Sequence, residues 1–296
     1  MSTNTRPLPI AAALGRGLRG ALQWRLLLLW ALATLVCALI GALPAWGWLG
    51  TLFGHSVHAT AVAGGEAPAL VLEALTQRDA PTSLLGASSM GAGLLMLVLS
   101  PLLVGATVSA IRARTRLGFG DLLRGGIGEY GPMLRMLLWS AVPLGIALAA
   151  GSGILAANAA AHKQAVVAAE LDAGRYAAMA VGGVLFVLAH ASLEAGRGWL
   201  AADGRLRSAL KAWWRGVKLL RRRPLAVLGV YLGTTLAGLL LVALLLLARP
   251  YLGDGGMPAL LLGLLLSSAV ASALAWSRIA RLSGMAALAE DAHARR

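Results

Sequence analysis

His190 and Glu194 stand four residues apart, a spacing that puts both side chains on one face of a helix. An imidazole and a carboxylate together at membrane depth are suited to handling a proton or a polar substrate. The competing reading keeps both at the membrane edge. There Glu194 pairs locally with Arg197, three residues on, and the long side chains reach for the interface. His55 and His58, three apart, could join Glu66 or Glu73 as nitrogen and oxygen ligands of a metal. Two histidines without a third ligand at a defined spacing read better as solvated or interface residues, so neither a metal nor a cofactor is expected. The single cysteine, Cys37, lies among Leu35, Val36, Ala38 and Leu39 and reads as a small buried hydrophobe. The sequence contains no Gly-x-Ser-x-Gly, no His-Glu-x-x-His, no phosphate-binding Gly-Lys-Ser/Thr loop and no paired carboxylates in an apolar run. A non-catalytic chain is therefore expected, and any active transport would draw its energy from another chain.

The elements that must position these residues follow from composition. Of 296 residues 58% are hydrophobic and 13% charged, about half the charge of a soluble domain, which carries roughly 25%. Such a chain cannot cover itself with polar surface; the solvent it needs is a bilayer. Six runs have the ~20 apolar residues that a crossing requires: 26–44, 90–111, 133–157, 176–192, 225–247 and 258–279. None alternates as barrel strands do, and backbone groups in lipid must be satisfied internally, so the runs are helices. The fold class expected is all-α: a polytopic transmembrane bundle of about six spans, forming one domain over the whole chain. The fourth run is the shortest and contains Gly182 and Gly183. The first has a basic flank but is longer than the core of a cleaved signal peptide, so it is expected to stay.

The net charge of +14 is distributed along this pattern rather than gathered into a nucleic-acid-binding module. Of the 26 Lys and Arg residues, all but Arg78, Lys163, Arg175 and Arg249 fall before the first run, after the sixth, or in segments 112–132 and 193–224 and their immediate edges. Positive residues stay in the cytoplasm. Both termini and those two segments are thus expected inside a bacterial-type inner membrane, with 45–89 as the largest outer loop. Trp24, Trp30, Trp46, Trp48 and Trp276 lie near run ends, where indole rings suit the interface. Within the outer loop, 68–75 reads as a short helix and 81–86 as a turn.

Each odd-numbered span is preceded by a basic, partly apolar stretch: 10–26, 119–135 and 203–223. In the last, Leu206, Leu210, Trp213, Trp214 and Val217 recur at helical spacing opposite Arg207, Lys211, Arg215 and Lys218. Arg221, Arg222 and Arg223 extend the basic face, Asp203 is the expected N-cap and Pro224 the break before the fifth span. The chain reads as three hairpins, each entered through a basic interfacial helix. A weak internal repeat accompanies this, since 108–112 resembles 275–279 and both are expected to end a span.

Segment 209–233, with Trp213-Trp214, Arg221-Arg222-Arg223-Pro224 and the apolar start of the fifth span, resembles the juxtamembrane signature of bacterial six-span proteins of the glycerophosphodiester-phosphodiesterase membrane-domain type. The resemblance implies interfacial helices alternating with hairpins, as in the many such proteins that stand alone without a catalytic domain. It carries over no catalytic residue.

Gly229 and Gly233 form a small-xxx-small pair, and Ser268 and Ser272, with Ala271 and Ala275, a small-residue face; both predict close helix contact. Three functions are compatible with these features. One is a scaffold or accessory subunit of an inner-membrane assembly. Another is a permease subunit energised by a separate ATPase docked at 203–223. The third is a lipid-modifying enzyme using His190 and Glu194. Expected partners are anionic lipid head groups, a homo-oligomer or other membrane subunits, and no nucleic acid.

Overall fold

An apolar run in lipid has no external partner for its N–H and C=O groups, and the helix that satisfies them internally is what every long run adopts. The computed structural model describes residues 7–113, 115–162, 168–252 and 256–295; Arg6, Arg114, Lys163 and Arg296 of the charge pattern lie outside them. The described residues form ten α-helices in order: α1 Ile10–Gly20, α2 Trp24–Phe53, α3 Ala59–Gly64, α4 Pro68–Thr76, α5 Thr82–Arg112, α6 Phe119–Ala161, α7 Ala168–Ala202, α8 Ala209–Arg222, α9 Pro224–Leu246 and α10 Gly256–Ala294. No strand occurs among the described residues. Among the described residues six helices are long and apolar enough to cross a membrane: α2, α5, α6, α7, α9 and α10. The chain is an all-α, multi-pass integral membrane bundle.

Several boundaries differ from those the sequence suggests. The middle basic stretch, 119–135, is not a separate helix. It continues through Pro132 and Pro143 into the third span, giving a 43-residue helix about 64 Å long. The fourth span is not short, because α7 runs 35 residues through its glycines and on past 192. The sixth does not end at 279; α10 continues to Ala294, so its likeness to the end of α5 is not a shared terminus. Residues 81–86 are the N-cap and first turn of α5 rather than a turn between elements, while 68–75 is helical as expected. The N-cap of α8 is Ser208, whose Oγ accepts from the Lys211 N–H at 3.4 Å. Asp203 directly follows the last residue of α7, outside any helix, and its carboxylate accepts instead from the Arg205 N–H at 3.1 Å.

α10 is the hub, packing against α1, α2, α7 and α9, while α5, α6 and α7 close the other side and α8 lies across α7. Packing is concentrated at the end where the basic segments gather. Val108, Met136, Leu193, Trp199, Leu200, Leu282 and Ala286 form one buried cluster there, and Ala13, Leu219, Val227, Val230, Met285 and Leu288 another. At the other end large apolar side chains face outward, among them Leu43, Trp46, Leu94, Ile146, Leu148, Val184, Leu240 and Leu265. Such a surface is stable in hydrocarbon and not in water.

The packed end is built on small residues. α1 buries Ala13 and Gly17, while its leucines Leu14 and Leu18 are only partly buried and Leu22 is exposed in the link to α2. α8 likewise buries Ala209, Ala212, Gly216 and Leu219, while Leu210 and Trp214 are about half exposed. The reason is the crossing distance: a Cβ added to Gly216 would lie 2.4 Å from the Ser192 carbonyl oxygen and 2.5 Å from the Gly196 nitrogen. Only two glycines let α8 and α7 approach this closely. Gly229 and Gly233 do mediate helix contact, with α1 rather than another span; their added Cβ atoms would meet Ile10 at 2.9 Å and Leu14 at 3.3 Å. On α10 it is Ala271 and Ala275 that are buried, whereas the Ser268 and Ser272 hydroxyls donate to their own helix at Leu264 O and Ser268 O, both 2.8 Å.

Candidate functional site

The polar groups of the packed end converge on four carboxylates. Glu194 is the most central, on the part of α7 that faces α10 and α9, and its residue is 6% exposed. Arg197 Nη1 donates to its Oε1 at 2.6 Å, and Arg281 Nε of α10 stands 3.8 Å from its Oε2. Arg281 also donates through Nη1 to Thr235 Oγ1 of α9 at 2.9 Å and lies 5.2 Å over the Tyr231 ring. One carboxylate and one guanidinium thus join three spans. His190 is brought to the same place: Nε2 is 3.9 Å from Glu194 Oε1, and its ring stacks on Phe186 and meets Tyr231 edge-on. His190 Nδ1 is buried with no hydrogen-bond partner among the described residues.

Glu129, on the amino-terminal part of α6, is 8% exposed. Its Oε1 accepts from Arg112 Nη1 of α5 at 2.8 Å and lies 3.8 Å from Arg207 Nη2. Arg112 also donates through Nε to Ala201 O at 3.0 Å and through Nη2 to Leu200 O, covering carbonyls that the end of α7 leaves unpaired. Asp291 near the end of α10 accepts from Arg223 Nη1 at 2.9 Å, from Arg295, and from the Leu8 N–H at 3.1 Å. Arg223 donates in turn to Leu8 O, so the joint between α8 and α9 clamps the entry to α1. Asp203 accepts from Arg215 Nη1 at 2.9 Å, and this hydrogen bond holds its carboxyl below the usual aspartate value. The Arg215 guanidinium lies over the Trp199 ring.

The basic face of α8 therefore divides. Arg215, and Arg223 at the joint with α9, turn inward to carboxylates; Arg207, just before α8, comes within 3.8 Å of Glu129 but is over half exposed, and Lys211, Lys218, Arg221 and Arg222 are exposed, Lys218 over the Trp214 ring. Of the interface tryptophans, Trp24 and Trp46 are exposed as expected. Trp30 is not at the surface: it is 4% exposed and its Nε1 donates to Thr107 Oγ1 of α5 at 3.1 Å. Trp213 is drawn partly inward, donating from Nε1 to Ser192 Oγ at 3.0 Å. His55 and His58 are exposed in the link before α3 and do not share a helical face.

The structure thus brings His190 and Glu194 together and adds what the local spacing could not supply: Arg281, Thr235 and Tyr231 from two other helices. Glu129 and Arg112 were not singled out in the sequence either; a glutamate beside Tyr130 in a glycine-rich stretch carries no signal until α5 is laid against it. Chemically the arrangement is a set of neutralised carboxylates. Each acid already accepts from a guanidinium, so none is poised as a free base. No family model, curated protein or solved structure matches the chain.

Proposed function

We propose that this chain is a non-catalytic protein of a bacterial-type inner membrane, with both ends cytoplasmic, that serves as a scaffold or accessory subunit of a membrane assembly. One observation carries the reading: Glu129, Glu194 and Asp291 are each paired with an arginine from a different segment of the fold. A carboxylate that relays protons or holds a substrate must be free to exchange partners. Here the acids are spent on fixing helices to one another, where removing a partner would leave an uncompensated buried charge. The end they fix is the one rich in Arg and Lys, which the cost of translocating positive charge keeps in the cytoplasm. The resemblance of 209–233 to proteins many of which stand alone without a catalytic domain supports the non-catalytic part of this reading. What the platform offers outward is chemistry for neighbours: Lys211, Trp214 and Lys218 on α8 for head groups, and apolar flanks on α2, α5, α6 and α9 for lipid, other subunits or a second copy.

Extraction from native membranes in mild detergent, with light scattering for mass and mass spectrometry for composition, tests this. A stoichiometric second membrane chain without an ATPase is the expected result. A co-eluting ATPase whose hydrolysis depends on this chain would replace the scaffold with the permease reading. Elution as a bare single chain from every detergent tried would overturn the subunit role.

A further inference from the structure

A groove on the packed end lies between α6 and the start of α8, with a volume of about 650 Å³. Its lining divides by chemistry along the helix axis. Arg135, Arg207 and Ser208 stand at one end, and Leu138, Trp139, Val142 and Leu210 form the walls. On α6 the row runs Arg135, Leu138 or Trp139, Val142, at spacings of three and four that keep it on one face. From Arg135 to Val142 the helix rises about 10 Å. The groove is thus a cationic mouth above an apolar slot that descends towards the bilayer interior. Leu138 is 65% exposed and Leu210 52% exposed, so no protein side chain fills it.

The two arginines are available. Arg135 makes no ion pair among the described residues, and its Nε donates to Gly131 O of its own helix at 3.2 Å. Arg207 is over half exposed; Nη1 donates to Gly128 O at 3.3 Å, and the nearby Glu129 is already held by Arg112. A guanidinium pair beside an apolar slot at the membrane edge complements an amphiphile with an anionic head. We propose that this groove is a binding site for one anionic phospholipid, with the phosphodiester held by Arg135 and Arg207 and an acyl chain laid along Leu138, Val142 and Leu210. The site is independent of whether the chain is a scaffold or a permease. It differs from diffuse attraction to a charged leaflet because it needs these two arginines and this slot, not the net charge.

Native mass spectrometry of the full-length protein, titrated with phosphatidylglycerol or phosphatidylcholine of identical acyl chains, reads the site directly. Wild type is expected to retain phosphatidylglycerol preferentially. The R135Q/R207Q variant should bind it about thirtyfold more weakly, the effect of losing two interfacial charges. The R221Q/R222Q variant removes the same charge from exposed positions at the far end of α8, outside the groove, and should change affinity by no more than about twofold. Should R135Q/R207Q lose its cooperative thermal transition, R135Q alone is scored; this residue is exposed and bonded only within its helix, and about fivefold weakening is expected. Equal weakening by both double variants would overturn the proposal in favour of diffuse electrostatics, as would the absence of any preference in wild type.

Discussion

Replacing Glu194 with glutamine removes one negative charge and almost no volume. In the wild-type core that charge faces Arg197 at 2.6 Å, Arg281 at 3.8 Å and His190 at 3.9 Å, with side-chain exposures of 17%, 12% and 25% against 7% for the glutamate. Arg197 keeps a neutral acceptor in the variant, but two enclosed guanidiniums lose their counter-charge. Breaking a buried pair from one side costs about 3–5 kcal/mol; with a hydrogen bond retained the lower figure applies, about 3 kcal/mol. For a chain of this size that corresponds to a drop of roughly 6–12 °C in melting temperature. Thermal unfolding in a mild detergent, followed by tryptophan fluorescence, measures it. Glu73→Gln is the control, being exposed on α4, and should shift stability by less than about 0.5 kcal/mol. Adding Arg281→Gln should make the double variant less destabilised than the two single changes combined, by about 1–3 kcal/mol. An E194Q protein that melts within about 1 °C of wild type would refute the reasoning: the carboxylate would then not be what balances the arginines, and a chemical role for it would return to the front.

Three further outcomes follow from the same geometry. Gly216→Ala should lower stability by about 1–3 kcal/mol through overpacking at the α7–α8 crossing, and limited proteolysis in the 203–208 link should accelerate as α8 lifts. For Asp203 the folded-state value lies below the ordinary 3.8 because Arg215 hydrogen-bonds the charged form, so the stabilisation is complete above that value and fades as pH falls through the lowered one. The melting difference between wild type and Asp203→Asn should hence be constant above about pH 5 and shrink below about pH 4. Trp30→Phe should cost about 1 kcal/mol from the lost bond to Thr107, more if the hydroxyl's surroundings do not relax, as read by the same melting assay.

The spans were legible because length and hydropathy alone decide them, and six runs became six long helices. The packing faces were not. In α1 and α8 the eye is drawn to leucine and tryptophan rows, yet in a membrane an apolar side chain gains little by facing another helix rather than lipid, and close approach is what selects a face. Ala13, Gly17, Ala212 and Gly216 therefore turn inward while Leu210 and Trp214 stay out. With 37 glycines in the chain, nothing in the sequence marks the few at which helices cross. The candidate site was legible only to the range of one helix. The spacing of His190, Glu194 and Arg197 is local, but Arg281, Thr235 and the Glu129–Arg112 pair are brought in by tertiary packing. The extension of α10 beyond 279 escaped for a related reason. Segment 280–294 is too polar overall to read as a span, although Ala280, Ala286, Ala287 and Ala289, with Leu282, Met285 and Leu288, are buried.

That extension sets the order in which the packed end can close. Translation delivers α10 after the other nine helices, and domains settle from the amino terminus as they emerge. Until then the surfaces of α1, α7 and α9 that close on Ala280, Gly284, Met285 and Leu288 are uncovered, and Arg223 at the joint of α8 and α9 lacks its partner Asp291. Docking of α10 is the step that covers those faces.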